Sequence, residues 1–406
     1  MNSTLRQFRD FFVSLQLTVW LLILSLILVF VATLDQVNLG IWAVQEKYFR
    51  SFAVLWQIPD TQIGIPVFPG GYFIGGLLLI NLISAHVYRF SFTWKKTGIQ
   101  LAHAGIIILL IGELLTGLLQ EESFMRMDQG ETKRYSESFH ENELVFINHS
   151  VADATEVVAI PEALVADKKS IQHPRLPFQV NVKEFYPNST LQMRAQAMPA
   201  AGAPVATAGF GAQLAMTPLR ITYKPNERNV PGAFVELVAT EGNLGVWLAS
   251  PLLNQPQTFT AGGQTWEIAF RQKRVYKPFT LTLLKFSHDK YPGTEIPKNF
   301  SSRVRVKSDD GTDDREVLIF MNNPLRYGGL TFYQAGFDNN DTTTILQVVR
   351  NPGWLLPYIA CIMMGVGLCI QFGLSLAGFI RKRTAATAAA VKATESAAAP
   401  ELTSVR

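Results

Sequence analysis

Four uninterrupted apolar runs decide most of what this chain can become: Leu15–Leu34, Gly71–Tyr88, Gln100–Leu119 and Trp354–Ile380. Each reaches the length of about 17 residues or more that lets a helix rising 1.5 Å per residue cross a bilayer. The first carries no charge, is too long for the apolar core of a signal peptide and precedes no small-residue cleavage site. It is therefore expected to stay as a span. Composition agrees with a mixed chain: 17% of the 406 residues are charged and 48% hydrophobic, against about 25% charged in an ordinary soluble domain. A net charge of +4 over this length gives no electrostatic case for a nucleic-acid partner. With two cysteines and no CxxC, CxxCH or Cys/His zinc spacing, the chain itself is neither a thiol oxidoreductase nor a c-type cytochrome.

Basic residues beside the spans set the expected orientation. Arg6 and Arg9 precede the first, Arg89, Lys95 and Lys96 separate the second from the third, and Arg381, Lys382 and Arg383 follow the fourth. The positive-inside rule then places both termini (1–14 and 381–406) and the basic loop 89–99 in the cytoplasm. It leaves an aromatic loop at 35–70 and a large domain at 120–353 outside. The expected fold class is a membrane protein with four transmembrane α-helices and one large extracytoplasmic all-β domain, in a bacterial cytoplasmic (inner) membrane. Strands are predicted at Val180–Lys183, Leu219–Tyr223, Phe234–Val238 and Phe279–Leu284, and a hairpin at Ser302–Val306 and Val317–Met321 around Asp309-Asp310-Gly311. Residues 192–216, rich in Ala, Gly, Pro and Met, read as a flexible insertion, and the Ala/Thr/Ser-rich tail 381–406 as disordered.

None of GxSxG, HExxH, a P-loop or a strand-borne GxGxxG occurs, which removes the usual reasons to propose an enzyme. The informative groups are ionisable residues inside the spans, where charge is costly and tends to face a site. His86 lies three residues before Arg89, and His103 seven after Lys96. They therefore sit roughly 4 and 10 Å inside the flanking charges. A neutral imidazole at such a depth can ligate haem iron; it can equally hydrogen-bond a neighbouring helix or snorkel toward headgroups. Gly105 and Gly112 allow another helix to approach the third span closely. Glu113, about 15 Å along the axis from His103, is too far to share a proton or metal with it. Cys361 and Cys369 read as packing residues. Trp42, Tyr48, Phe49, Phe52 and Trp56 read as an interfacial aromatic belt or as the wall of a partner site. His140, His149, His173 and His288 show no metal spacing.

Near the end of the outer domain stands Asn322-Asn-Pro-Leu-Arg-Tyr-Gly-Gly-Leu-Thr-Phe-Tyr-Gln-Ala-Gly-Phe-Asp338, preceded by Tyr291-Pro-Gly-Thr-Glu-Ile-Pro-Lys-Asn-Phe300. With Phe11-Phe-Val-Ser-Leu-Gln-Leu-Thr18 and His103-Ala-Gly-Ile-Ile-Ile-Leu-Leu-Ile-Gly112, these resemble the ResB-like (CcsB) family of system II cytochrome c biogenesis proteins over about residues 5–380. The resemblance implies a CcsA/ResC-type membrane partner, haem b as cargo, and apocytochrome c with CxxCH cysteines as the client. It implies a haem axial ligand in the third span, which His103 matches; His86 is a weaker candidate, from its place in the second span alone. The partner's tryptophan-rich haem-handling motif is absent here, so the bond-forming site is expected on the partner, and this chain is expected to be a non-catalytic subunit of the synthase complex. Trp42, Trp56, Arg326, Tyr327 and Tyr333 are the candidate docking residues for partner or apocytochrome. Two other readings stay open: a scaffold that stabilises its partner without holding haem, and, less well supported for want of a repeat, a transporter of another solute.

Overall fold

A computed structural model describes residues 3–57, 64–88, 93–150, 155–196, 204–222, 228–253, 255–293, 297–338 and 342–398. The chain divides into two compact units, one made of residues 1–36, 44–120 and 351–406, the other of 37–43 and 121–350.

The helical unit begins with α1 (Ser3–Phe12) and α2 (Leu15–Val44). Gly40, at φ +77°, interrupts α2 with a conformation that a β-carbon would oppose. The described part of the segment expected as an aromatic loop, 35–57 and 64–70, carries regular elements. A π-turn at Gln45–Phe49 is followed by a hairpin of β1 (Ala53–Gln57) and β2 (Gly64–Pro69). Asp35 accepts hydrogen bonds from Lys47 Nζ at 2.7 Å and the buried Tyr48 hydroxyl at 2.8 Å. These bonds tie the turn back onto the helix before it. Then come α3 (Gly71–Tyr88) and α4 (Thr97–Leu119), the latter entered through a 3₁₀ turn at Trp94–Lys96.

The second unit is β-rich. It contains β3 (Glu121–Asp128), β4 (Thr132–Asn148), β5 (Glu156–Pro161), the short α5 (Glu162–Ala166), β6 (Ser170–Ile171), β7 (Phe178–Tyr186), β8 (Ser189–Met193), β9 (Leu214–Pro218) and β10 (Gly232–Ala239). It continues with β11 (Gly242–Ala249), β12 (Gln257–Ala261), β13 (Gln264–Lys290), β14 (Pro297–Ser308), β15 (Asp314–Phe320), β16 (Leu325–Tyr327), β17 (Leu330–Asp338) and β18 (Thr343–Arg350). The long strands β4 and β13 pair with each other and serve two cores. Leu144 and Phe146 of β4 with Trp266, Ile268 and Phe270 of β13 pack against the four-stranded sheet β11-β10-β7-β6. Beyond a register break at Tyr276/Leu281, β13 turns Leu281 and Leu283 into a second core. Met125 and Met127, Val304 and Val306, and Leu346 and Val348 join them there. Each pair is spaced by two, as one face of a strand requires.

The β14–β15 hairpin forms as predicted, turning at Gly311 with φ +72°. The predicted strand at Leu219–Tyr223 does not form where the structure describes it: residues 219–222 are irregular, and Tyr223 lies outside the described residues. The strand lies just upstream, as β9, inside the segment expected to be a flexible insertion. That expectation fails for residues 204–216. Ala206, Leu214 and Met216 are buried against Phe234 and Leu248, and β9 pairs with β8. Burial and pairing override a composition poor in β-formers. Residues 197–203 of the insertion lie outside the described residues.

The chain returns to the helical unit through α6 (Leu356–Ala398). The helix runs well past Ile380 into the tail expected to be disordered, as the tail's alanines favour; residues 399–406 lie outside the description. Contrary to the packing reading, Cys361 and Cys369 are free and exposed on α6. Helices α4 and α6 pack on a glycine seam: Gly98, Gly105 and Gly112 are buried. A β-carbon at Gly105 would lie 2.6 Å from Met364 Cγ and 2.9 Å from the Ala360 carbonyl oxygen. The expectation that Gly105 and Gly112 admit a neighbouring helix is met.

Candidate functional site: a histidine-lined cavity in the helical unit

The glycine seam commits one side of α4 to α6, which determines what the other side can do. At 3.6 residues per turn, His103 stands about 140° around the helix from Gly98. Lys96, Ile99, Gln100, Ile106 and Leu110 share that opposite face and, with His103, line a cavity of about 690 Å³. The remaining wall comes from Val13, Leu15, Thr18 and Leu22 at the α1–α2 corner and from Leu78, Asn81, Leu82, Ala85 and His86 on α3. The volume is that of a pocket for a sizeable small molecule. The lining is mostly aliphatic, contains no acidic side chain among the described residues, and carries its polar groups at Thr18 of α2, on α3, and along the 3₁₀ turn and first turns of α4.

Asn81 fixes the corner of this cavity. Its side-chain amide donates to the carbonyl oxygens of Phe12 at 2.7 Å and Ser14 at 3.1 Å, and it accepts from Thr18 Oγ1 at 2.6 Å. A buried amide inside an apolar helix is thereby satisfied, and the break between α1 and α2 is held against α3.

His103 Nδ1 lies 2.8 Å from the carbonyl oxygen of Ile99, one turn earlier. A carbonyl can only accept, so Nδ1 carries the hydrogen, and in the neutral ring the free lone pair belongs to Nε2. This is the tautomer and the backbone support that metal-ligating histidines commonly have. His103 is exposed in this chain. Gln100 Oε1, one turn from Lys96, is buried without a hydrogen-bond partner. Such an atom is costly unless something enters to satisfy it. The donor chemistry therefore fits a planar apolar group bearing a metal and polar substituents: an imidazole for the metal, aliphatic walls for the ring and a basic end for acids.

The structure brings His86 and His103 to the same cavity, but Glu113 is exposed and does not line it. Trp42 stacks on His140 at 4.3 Å, and Trp56 stands 55% exposed on β1. Arg326 and Tyr327 on β16 share one hairpin with Tyr333 on β17. Tyr327 meets Phe279 edge-on at 4.8 Å, whereas Arg326 and Tyr333 are exposed. Among the described residues no group of three His, Cys, Asp or Glu side chains could hold a bare metal ion. Thr18, Gln100 and Lys96 were not legible as site residues one by one. The signal was their spacing with His103, since 96, 100 and 103 fall on one helical face.

Among the described residues four helices are long and apolar enough to cross a membrane; joined to a β-rich unit, they fit the class of membrane proteins. A model of the ResB-like family matches residues 251–345, from just before β12 into β18. The chain is similar to the protein NrfI of Wolinella succinogenes, with 32% identity over 121 residues. It is also similar to the cytochrome c biogenesis protein CcsB of Synechococcus elongatus, with 31% identity over 94 residues. These alignments take in 30% and 23% of this chain but only 13% of NrfI and 20% of CcsB.

Proposed function

We propose that this chain is a subunit of the cytochrome c maturation machinery that holds haem in the membrane. It would act with a CcsA/ResC-type partner to present haem for attachment to CxxCH apocytochromes. The observation that carries the reading is the fixed tautomer of His103 on the wall of a ligand-sized apolar cavity. The family match and the CcsB relative supply the pathway. When bound, haem supplies the iron and the vinyl groups of thioether chemistry. The chain's own residues do the rest. His103 offers Nε2 to iron, Ile99 holds the ring's orientation, and the aliphatic side chains of α2, α3 and α4 exclude water from the porphyrin faces. His86 is the weaker second candidate for the iron. Trp42, Trp56, Arg326, Tyr327 and Tyr333 are exposed or half-buried surface for the partner or the apocytochrome. The chain lies in the cytoplasmic membrane with both termini inside and its β-rich unit outside.

The test is an absorption spectrum of the purified complex together with the yield of a CxxCH reporter cytochrome. His103→Gly should shift or weaken the Soret band and lower maturation, and added imidazole should restore part of both. An unchanged spectrum with full maturation would overturn the reading. A second reading is favoured by one fact: the family match lies wholly in the β-rich unit and not in the span bearing His103. On that reading the chain is a scaffold, and His103→Gly leaves haem content intact while disruption of the β16–β17 hairpin abolishes maturation.

A further inference from the structure

On the wall formed by the 3₁₀ turn and α4 the polar groups come in order: Lys96 at the end of the turn, Gln100 about one turn on and His103 about two turns on, followed among the lining residues by Ile106 and Leu110. From this order we propose that Lys96 and Gln100 recognise the carboxylates of the ligand, so that it lies with its acid edge toward the start of α4 and its apolar body toward His103 and Leu110. The inference rests on the haem reading above and adds to it an orientation and a specificity.

Three observations support it. No acidic side chain is among the described residues that line the cavity, so a carboxylate there meets no like charge from them. Gln100 carries the orphaned buried amide, and a half-turn of that amide exchanges its oxygen for an NH₂ that donates to an acid. Lys96 and His103 are seven residues apart, roughly 10 Å along the axis. That separation is of the order of the reach from the centre of a porphyrin to the end of a propionate arm. A lysine donating to a carboxylate at the edge of a low-dielectric cavity makes a charge-assisted bond, strong enough to shift affinity by about tenfold or more. The opposite wall is built largely of Leu15, Leu22, Leu78 and Leu82; its Thr18 and Asn81 are bonded to each other, and His86 is its one ionisable group among the described lining residues.

The experiment titrates the purified full-length chain in detergent with haem and with haem dimethyl ester, whose acids are capped, and reads the Soret band. The unmodified chain should bind haem at least about tenfold more tightly than the ester. Lys96→Met should bring that ratio close to one, and Lys96→Arg should keep most of it. His103→Ala should alter the spectrum with either porphyrin and leave the ratio in place. A ratio untouched by Lys96→Met, with the His103→Ala change intact, overturns this inference alone. No Soret band, or one indifferent to His103→Ala, overturns the haem reading beneath it. If phosphatidylglycerol displaces both porphyrins equally and only when Lys96 is present, the basic end serves a lipid phosphate and the inference fails.

Discussion

Gly98 on α4 and Gly367 on α6 each stand where the other's side chain would have to go. A β-carbon on Gly98 would lie 2.6 Å from the Gly367 carbonyl oxygen, and one on Gly367 would lie 2.7 Å from that of Gly98. Both obstacles are backbone, which a rotamer change cannot move. Gly98→Val should therefore force the two helices apart at a cost of about 1–3 kcal/mol. Gly75→Val, with nothing within 4 Å of its β-carbon, should cost much less, about 1 kcal/mol or under. Thermal unfolding of the detergent-purified chain separates the two, and equal midpoints would remove the seam from the account of how α4 is oriented.

Gly328 and Gly329 form the turn between β16 and β17, with φ +57° and +75°. Either alanine variant is strained by about 1–2 kcal/mol. At Gly328 the new β-carbon would also sit 2.9 Å from Phe279 Cε1, whereas at Gly329 it meets open space. Gly328→Ala should thus destabilise the chain more than Gly329→Ala, in urea unfolding read by tryptophan fluorescence. The reverse order would mean that the Tyr327-Gly-Gly turn is not packed on Phe279.

What could be read from the sequence depended on how local each signal was. The apolar runs marked the four long helices because length and hydropathy suffice for that, and Asp310-Gly311 marked its hairpin by turn chemistry alone. The ResB-like run at Asn322–Asp338 turned out to be architecture as much as surface: Leu325 and Phe332 are buried in the second core, and two glycines make the turn. Strand β9 was missed because Leu214-Ala-Met-Thr-Pro218 has weak β-propensity and is held by β8 and by the burial of Leu214 and Met216. The β-branched run after it was misread: among the described residues Leu219 bonds to the Asn188 carbonyl and Thr222 to the Asn229 side chain, and residues 219–222 form no strand. The cavity was only half legible. His103 stood out as an ionisable group in a span, but a pocket shared by α2, α3 and α4 has no local signature. Glycines at every seventh position of α4 were the one clue to which face stays open.

Asn81 is the polar hinge of the helical unit, joining α3 to Phe12, Ser14 and Thr18. Asn81→Leu keeps the volume but leaves two carbonyl oxygens without this donor. The expected cost is about 1–3 kcal/mol. Because Asn81 also lines the cavity, the proposed haem role predicts that the variant weakens haem binding without displacing the Soret maximum. A displaced maximum would instead place Asn81 near the iron.

Lys277 is the buried cation of the β-rich unit, 4% exposed at the register break of β13, where Nζ donates to Ser136 Oγ at 2.9 Å. Ser136 in turn accepts from Ser123 Oγ at 2.8 Å. Burial pushes the ammonium from its ordinary 10.5 down to about 8, against an opposing pull from Glu121 on β3. The folded chain therefore loses this proton before the unfolded chain does. Between about pH 8 and 10.5 the unfolded state binds more protons, so this group's contribution makes stability rise with pH across that window; below pH 8 the full cost of the buried charge is present and constant. Lys277→Met removes both the cost and the slope. At pH 7 the variant should be more stable by about 1–3 kcal/mol, less whatever Ser136 loses with its donor. By pH 10 the advantage should have largely disappeared. Urea unfolding of the full chain at the two pH values checks this, and a gain of equal size at both would show that folding does not depress the titration of Lys277, which then keeps its proton in both states across the window.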